Sequence, residues 1–399
     1  MELFPNEKLT FDSSVPSKVA SASDDNINEK YIKGEVRIVT EQARYPLRTI
    51  PGMLDSDDYE LNPEFQRRHR WDNAKKSRLI ESFIMNVPIP PIFLYEDSFS
   101  HYEVMDGLQR LTAIYDFYKD RLELDGLEEW PELNGRRYSE LPDQVKRGID
   151  RRYLSSIILL QETAKNPDEA QRLKQLVFER INSGGVRLEP QESRNAIYNG
   201  PLNKICIDLS RNQYLCRTWA IPEPTEEEIL EDKIPEKLLS NEHYRKMNDI
   251  ELVLRFFAYR QRLTDQRGSL KSYLDRYLLY GNSFEQSVLD SLRNLFQETI
   301  ELVYETFGEK AFWLWRFRNG QWGWFSRATI AVYDPMMYVF SGWLSQKKDI
   351  LSKKDKFREE ITVFYEKNYA TFEGRSVNRS DIEERNNLLN EFVTRIVSE

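Results

Sequence analysis

The hydrophobic pattern changes character near residue 200. Before it, short apolar runs alternate with helical stretches and are interrupted by prolines and glycines. After it, amphipathic helical patterns follow one another, at 251–262, 270–278, 283–307 and 355–369. Such a chain is expected to fold as an α+β first half followed by an all-α helical second half. The boundaries read as a mobile polar arm over residues 1–33, a mixed domain over 34–200 and a helical domain over 201–399. Strands are expected at 36–39, 92–95, 102–105 and 155–161, with another extended piece at 45–50. Helices are expected at 73–86, 108–119 and 168–181, with a further one opening at Pro190. The acidic, proline-containing stretch 222–237 reads as a loop.

Composition narrows the function classes. The chain has 399 residues, 40% of them hydrophobic and 31% charged, as in a soluble globular protein. Its net charge of −9 argues against a surface that grips DNA everywhere, so any nucleic-acid contact must use a local patch. Only Cys206 and Cys216 occur, with no C-x-x-C spacing and no histidine cluster, which disfavours structural zinc and a disulfide framework. The start carries no apolar leader, and no apolar run is long enough to span a bilayer. A cytoplasmic protein without membrane partners is expected.

Three polar motifs stand out in the first half. Asp106-Gly107-Leu108-Gln109-Arg110 lies where a strand hands over to a helix. The first amides of a helix lack intrahelical partners and carry partial positive charge. Gly107 lets a ligand approach that backbone, Arg110 can grip a phosphate, and Asp106 can hold Mg²⁺ or orient water. The plain alternative is a helix cap with a local ion pair. Phe65-Gln66-Arg67 opens the densest basic stretch of the chain, with Arg68, Arg70, Lys75, Lys76 and Arg78 following. It suits nucleotide or DNA phosphates, although most charge runs are simply solvated faces. The third motif ends a helix at Asn182-Ser183-Gly184-Gly185, either a capped turn or an anion-binding nest. Gln191, Glu192 and Arg194 follow and are placed to brace it. The aromatic cluster of Phe312, Trp313, Trp315, Trp322 and Trp324 reads as core, with a base-binding pocket as the alternative. No P-loop and no His-Asn-His or H-E-x-x-H pattern occurs.

Together the motifs resemble the N-terminal domain family of GmrSD type IV restriction enzymes. That family carries Pro-x-Phe-Gln-Arg-x-x-x-Trp, Asp-Gly-Gln-Gln-Arg and Phe-x-x-x-Asn-x-x-Gly-x-x-Leu in this order. Here they stand as 63–71, then 106–110, then 178–188. The resemblance covers about residues 35–200, and Glu251 to Phe256 looks like the helical extension common behind that domain. It implies a ParB/sulfiredoxin-like mixed-sheet fold and an NTP-binding, NTP-hydrolysing component of a bacterial anti-phage restriction system.

By that analogy Asp106, Gln109, Arg110 and Gln66 form the catalytic set, with Asp106 on Mg²⁺. Arg67, Gly107, Asn182 and Gly184 contact the nucleoside triphosphate. Arg68, Arg70 and Lys75 are the candidate DNA contacts. Leu108 replaces the family's first glutamine, which removes one polar contact and would weaken hydrolysis. The nuclease motif of many relatives is missing from the second half, which points to a partner nuclease. The rival readings are a non-catalytic DNA-sensing module and a metal-dependent DNase. A homo-oligomer is also compatible with the sequence.

Overall fold

The computed structural model describes residues 3–9, 23–33, 38–61, 71–160, 167–182, 189–226, 228, 234–262, 268–373 and 379–399. The chain divides into two compact units, residues 13–188 and residues 1–12 together with 189–399.

The first unit is α+β. Its strands are β1 (Thr40–Pro46), β2 (Tyr59–Glu60), β3 (Ile92–Ser98), β4 (His101–Asp106) and β5 (Tyr153–Leu159), in the order β1-β5-β3-β4-β2. β1 runs antiparallel to β5, and β3 runs antiparallel to β4. The β3–β5 and β2–β4 pairs are parallel, so the sheet is mixed. The main helices are α1 (Asp24–Lys33), α2 (Asn73–Met85), α3 (Leu108–Tyr118) and α4 (Pro167–Asn182).

Local chemistry sets the ends of α2. The Asp72 side chain accepts the Lys75 N–H at 2.7 Å, and Asn86 takes a left-handed φ of 62° ahead of Pro88. Ile80, Phe83, Ile92, Leu94, Leu111, Ile114 and Phe117 are all buried in one core that joins α2, α3 and the sheet. Lys76 ties α2 to α3 through Asp116 at 2.7 Å. Two expectations shift here. The first strand begins at Thr40, and residues 36 and 37 lie outside the described residues. The extended piece expected at 45–50 is the end of β1 followed by a 3-10 turn and a short helix, Ile50–Leu54, which Pro51 opens from its first turn.

The second unit is mostly helical. Its main helices are α5 (Pro190–Ile197), α6 (Pro201–Leu209), α7 (Asn248–Arg262), α8 (Leu270–Gly281), α9 (Gln286–Phe307), α10 (Ile330–Ser341), α11 (Lys354–Lys367) and α12 (Arg379–Ser398). Helix α10 is central and packs on α7, α9 and α12. Its sequence, IAVYDPMMYVFS, is apolar on nearly every side, so it shows no amphipathic period, and Pro335 sits inside it. The expectation of an all-α second half is corrected. Strands β6 (Trp313–Arg318) and β7 (Gln321–Ala328) form an antiparallel hairpin. Asn319 and Gly320 make its two-residue turn with φ of 51° and 82°, the conformation an Asn-Gly hairpin turn requires.

Helix α5 clusters with the second unit, which places the boundary earlier than 200. Arg194 is the reason. It is buried and reaches Asp275 of α8 and Glu251 of α7, each at 2.7 Å, and Gln191 at 3.0 Å. A buried guanidinium requires such acceptors, so α5 stays with the helices that supply them.

The first residues also depart from a mobile arm. Arg260 of α7 forks onto the buried Glu7 carboxylate at 2.6 and 2.7 Å. Gln261 donates to the Glu7 carbonyl at 2.8 Å and accepts the Leu9 N–H at 3.0 Å. Residues 24–33 are helical. Glu7→Ala is expected to lower stability by about 2 kcal/mol, because the segment can peel away and let water reach Arg260. Denaturant unfolding with no change in midpoint would count against this docking.

Cys206 and Cys216 are free and buried, and burial pushes the Cys216 thiol up to about 12, so it stays protonated. Among the described residues no helix is long and apolar enough to cross a membrane.

Candidate functional site

Strand β4 delivers Asp106 to the edge of the core, and the chain then turns directly into α3. Gly107 is the N-cap of α3, with φ 96°. No side chain caps this helix end, so its first amides keep their hydrogen-bonding capacity. Glycine is required here twice over. The φ value is left-handed, and a Cβ would sit 2.3 Å from Ile92 Cγ2 and 3.1 Å from an Arg110 guanidinium nitrogen.

Arg110, one turn into α3, folds back over this end. It donates to the Asp106 carboxylate at 2.5 Å and to the Pro90 and Pro91 carbonyls, the latter at 3.1 Å. The guanidinium is therefore both an ion-pair partner and an anchor for the segment entering β3. An Arg110→Ala variant would lose that anchor together with any phosphate contact, so it does not separate fold from binding. Asp106 remains partly exposed, with its side chain at 35%. Its second carboxylate oxygen takes no hydrogen bond among the described residues.

Gln109 accepts the Trp71 N–H on its side-chain oxygen at 3.0 Å. This bond joins the last residue of the first motif to the second motif. Trp71 packs against the core, and Lys75 lies over its ring at 5.2 Å. Lys75 is exposed. Lys76 is committed to Asp116, and Arg78 pairs with Glu128 at 3.1 Å on the surface. Gln66, Arg67, Arg68, Arg70 and Gly184 lie outside the described residues. Asn182 is the last residue of α4, and its side chain is likewise outside them.

The third motif reaches the same strand through α4, which packs on β4. Lys174 of α4 bonds to Glu103 of β4, and its ammonium lies 5.3 Å from the centre of the Tyr95 ring. Burial pushes the Glu103 carboxyl upward, partly offset by Lys174. Lys174→Met leaves this carboxylate buried without a partner. It is expected to cost about 2 kcal/mol at neutral pH. A raised folded-state pKa means the folded protein holds the extra proton, so the variant's loss shrinks as pH falls through the carboxylate range. Unfolding midpoints measured across that range check the sign; a loss that grows at low pH contradicts it.

Leu108 is buried in the hydrophobic core. In this chain the position is a packing site. Among the described residues, no group of three or more His, Cys, Asp or Glu side chains could enclose a metal. A lone carboxylate still fits Mg²⁺ that arrives with nucleotide phosphates, since Mg²⁺ commonly takes one or two carboxylates and keeps its other ligands as phosphates and water.

Residues 50–199 match the family model for the GmrSD restriction endonuclease, N-terminal domain. This segment is a GmrSD-type N-terminal domain. No curated protein and no solved structure matches the chain. The GmrSD-type segment contains the Asp106 turn, the Gln109–Trp71 bond and the Lys174–Glu103 contact, and it ends just after α5. Two of its links had no signal in the motif reading: the two proline carbonyls that hold Arg110, and the Lys174–Glu103 pair. Both depend on which strands become neighbours, which motif spacing does not encode.

Proposed function

We propose that the GmrSD-type domain binds and hydrolyses a nucleoside triphosphate at the Asp106 turn, as a component of a bacterial anti-phage DNA restriction system. The observation that carries this reading is the uncapped start of α3 at Gly107, set between a partly exposed carboxylate and a guanidinium. Helix N-termini of this kind accept phosphate oxygens. Asp106 would hold Mg²⁺ through its free oxygen and, with Gln109 or Gln66, orient the attacking water. Arg110 and Arg67 would take phosphate charge, and Asn182 and Gly184 would close the site. The mixed sheet followed directly by α3 is compatible with the ParB/sulfiredoxin-like architecture that the family resemblance implies. Cleavage of DNA would then fall to a partner nuclease.

The test is Mg²⁺-dependent nucleotide binding by wild type and Asp106→Asn. The substitution keeps an acceptor for Arg110 and removes the charge. Binding that loses its Mg²⁺ dependence in the variant supports the reading. Identical Mg²⁺-dependent titrations of the two proteins would remove Asp106 from the site.

A further inference from the structure

The second unit holds a cleft of about 1010 Å³, lined by the β6–β7 hairpin and residues of α7, α10 and α12. The hairpin is two-sided. Trp315 meets Trp324 edge-on at 5.3 Å and Phe317 meets Trp322 at 5.5 Å, while the Trp315 indole donates to Glu366 of α11 at 2.8 Å. The alternate residues of the two strands face the cleft. There the guanidiniums of Arg316, Arg327 and Arg318 lie 4.3, 4.6 and 5.4 Å from the centre of the Phe325 ring. Gly323, opposite Arg316, leaves that part of the face without a side chain.

Three cations within reach of one ring repel each other unless anions balance them. Among the described residues none of the three forms an ion pair, and the buried Arg316 Nε has no hydrogen-bond partner. The cleft's own acids do little to compensate. Asp334 is already held by a two-point contact with Arg255, and Glu373 is exposed. A second feature points the same way. Thr329 to Ala331, the start of α10, line the cleft, and no side chain caps this twelve-residue helix. In a chain with net charge −9, concentrated positive potential of this kind calls for a bound anion.

We propose that this cleft is a binding site for nucleotide phosphates. Arg316, Arg318 and Arg327 engage the phosphate oxygens, and the α10 N-terminus supplies further donors. The cleft is larger than a single inorganic phosphate requires and matches the upper range of small-ligand sites. The same chemistry is offered by a free nucleotide and by the backbone of an unpaired DNA strand. The inference does not rest on the Asp106 site, which lies in the other unit.

The test uses the full chain with EDTA, so that Mg²⁺-dependent binding at Asp106 is silent. Fluorescein-labelled oligothymidine and fluorescent ATP are titrated against wild type, Arg318→Glu/Arg327→Glu and the control Lys204→Glu/Lys348→Glu. All four substituted side chains are exposed, so the fold should tolerate the changes. The expected result is binding weakened about tenfold or more by the arginine reversal and little by the control. An effect confined to oligothymidine identifies a strand as the source, and one confined to ATP identifies free nucleotide. Equal affinity in all three proteins, equal loss in both reversals, or no binding of either probe to wild type overturns the proposal.

Discussion

Gly107→Ala is expected to destabilise the α+β unit by about 4 kcal/mol, a large share of the roughly 5–15 kcal/mol that holds an ordinary domain together. Two costs combine. A side chain at φ 96° is strained by about 1–3 kcal/mol. The new methyl also meets Ile92 at 2.3 and 2.9 Å, and Ile92 is a fully buried residue of β3 that cannot move aside. Overpacking of this kind costs about 1–3 kcal/mol. The two costs separate experimentally. Gly107→Ala/Ile92→Ala relieves the clash while keeping the strain, so its coupling energy should be favourable even though Ile92→Ala alone opens a cavity. Urea unfolding measures both. A loss below about 1 kcal/mol for Gly107→Ala would mean that the turn tolerates a side chain, and the backbone argument for the site would fail.

Asp106→Asn is expected to reduce phosphate release by about a hundredfold or more while leaving the unfolding midpoint close to wild type. Arg110 keeps an acceptor at residue 106 and its two proline carbonyls, so the turn should persist. What disappears is the charge that would hold Mg²⁺ against the phosphates. Unchanged release in a folded variant would show that any hydrolysis occurs elsewhere.

The strands and helices around the site were legible because each is short, amphipathic and bounded by a turn residue. Asn73–Met85 and Leu108–Tyr118 emerge almost as their patterns suggest. The central helix Ile330–Ser341 was hidden because a segment apolar on nearly every side has no stripe to detect. The hairpin was hidden by its tryptophans, which read as core payload, although Trp315-Arg316-Phe317-Arg318 alternates with period two and Asn319-Gly320 marks the turn. At the site, the sequence indicated Asp106, Gly107 and Arg110 as a group. It did not show that Arg110 closes on Asp106 and on two carbonyls from another segment, because that contact depends on β3 and β4 being neighbours.

Phosphate release from each of the four ribonucleoside triphosphates, with and without Mg²⁺ and with and without DNA, tests the central claim most directly. The account predicts Mg²⁺-dependent release by wild type from at least one nucleotide and its loss in Asp106→Asn. Release stimulated by DNA would link the activity to restriction. No release from any nucleotide under any of these conditions would contradict hydrolysis at the Asp106 turn and leave a binding module in its place.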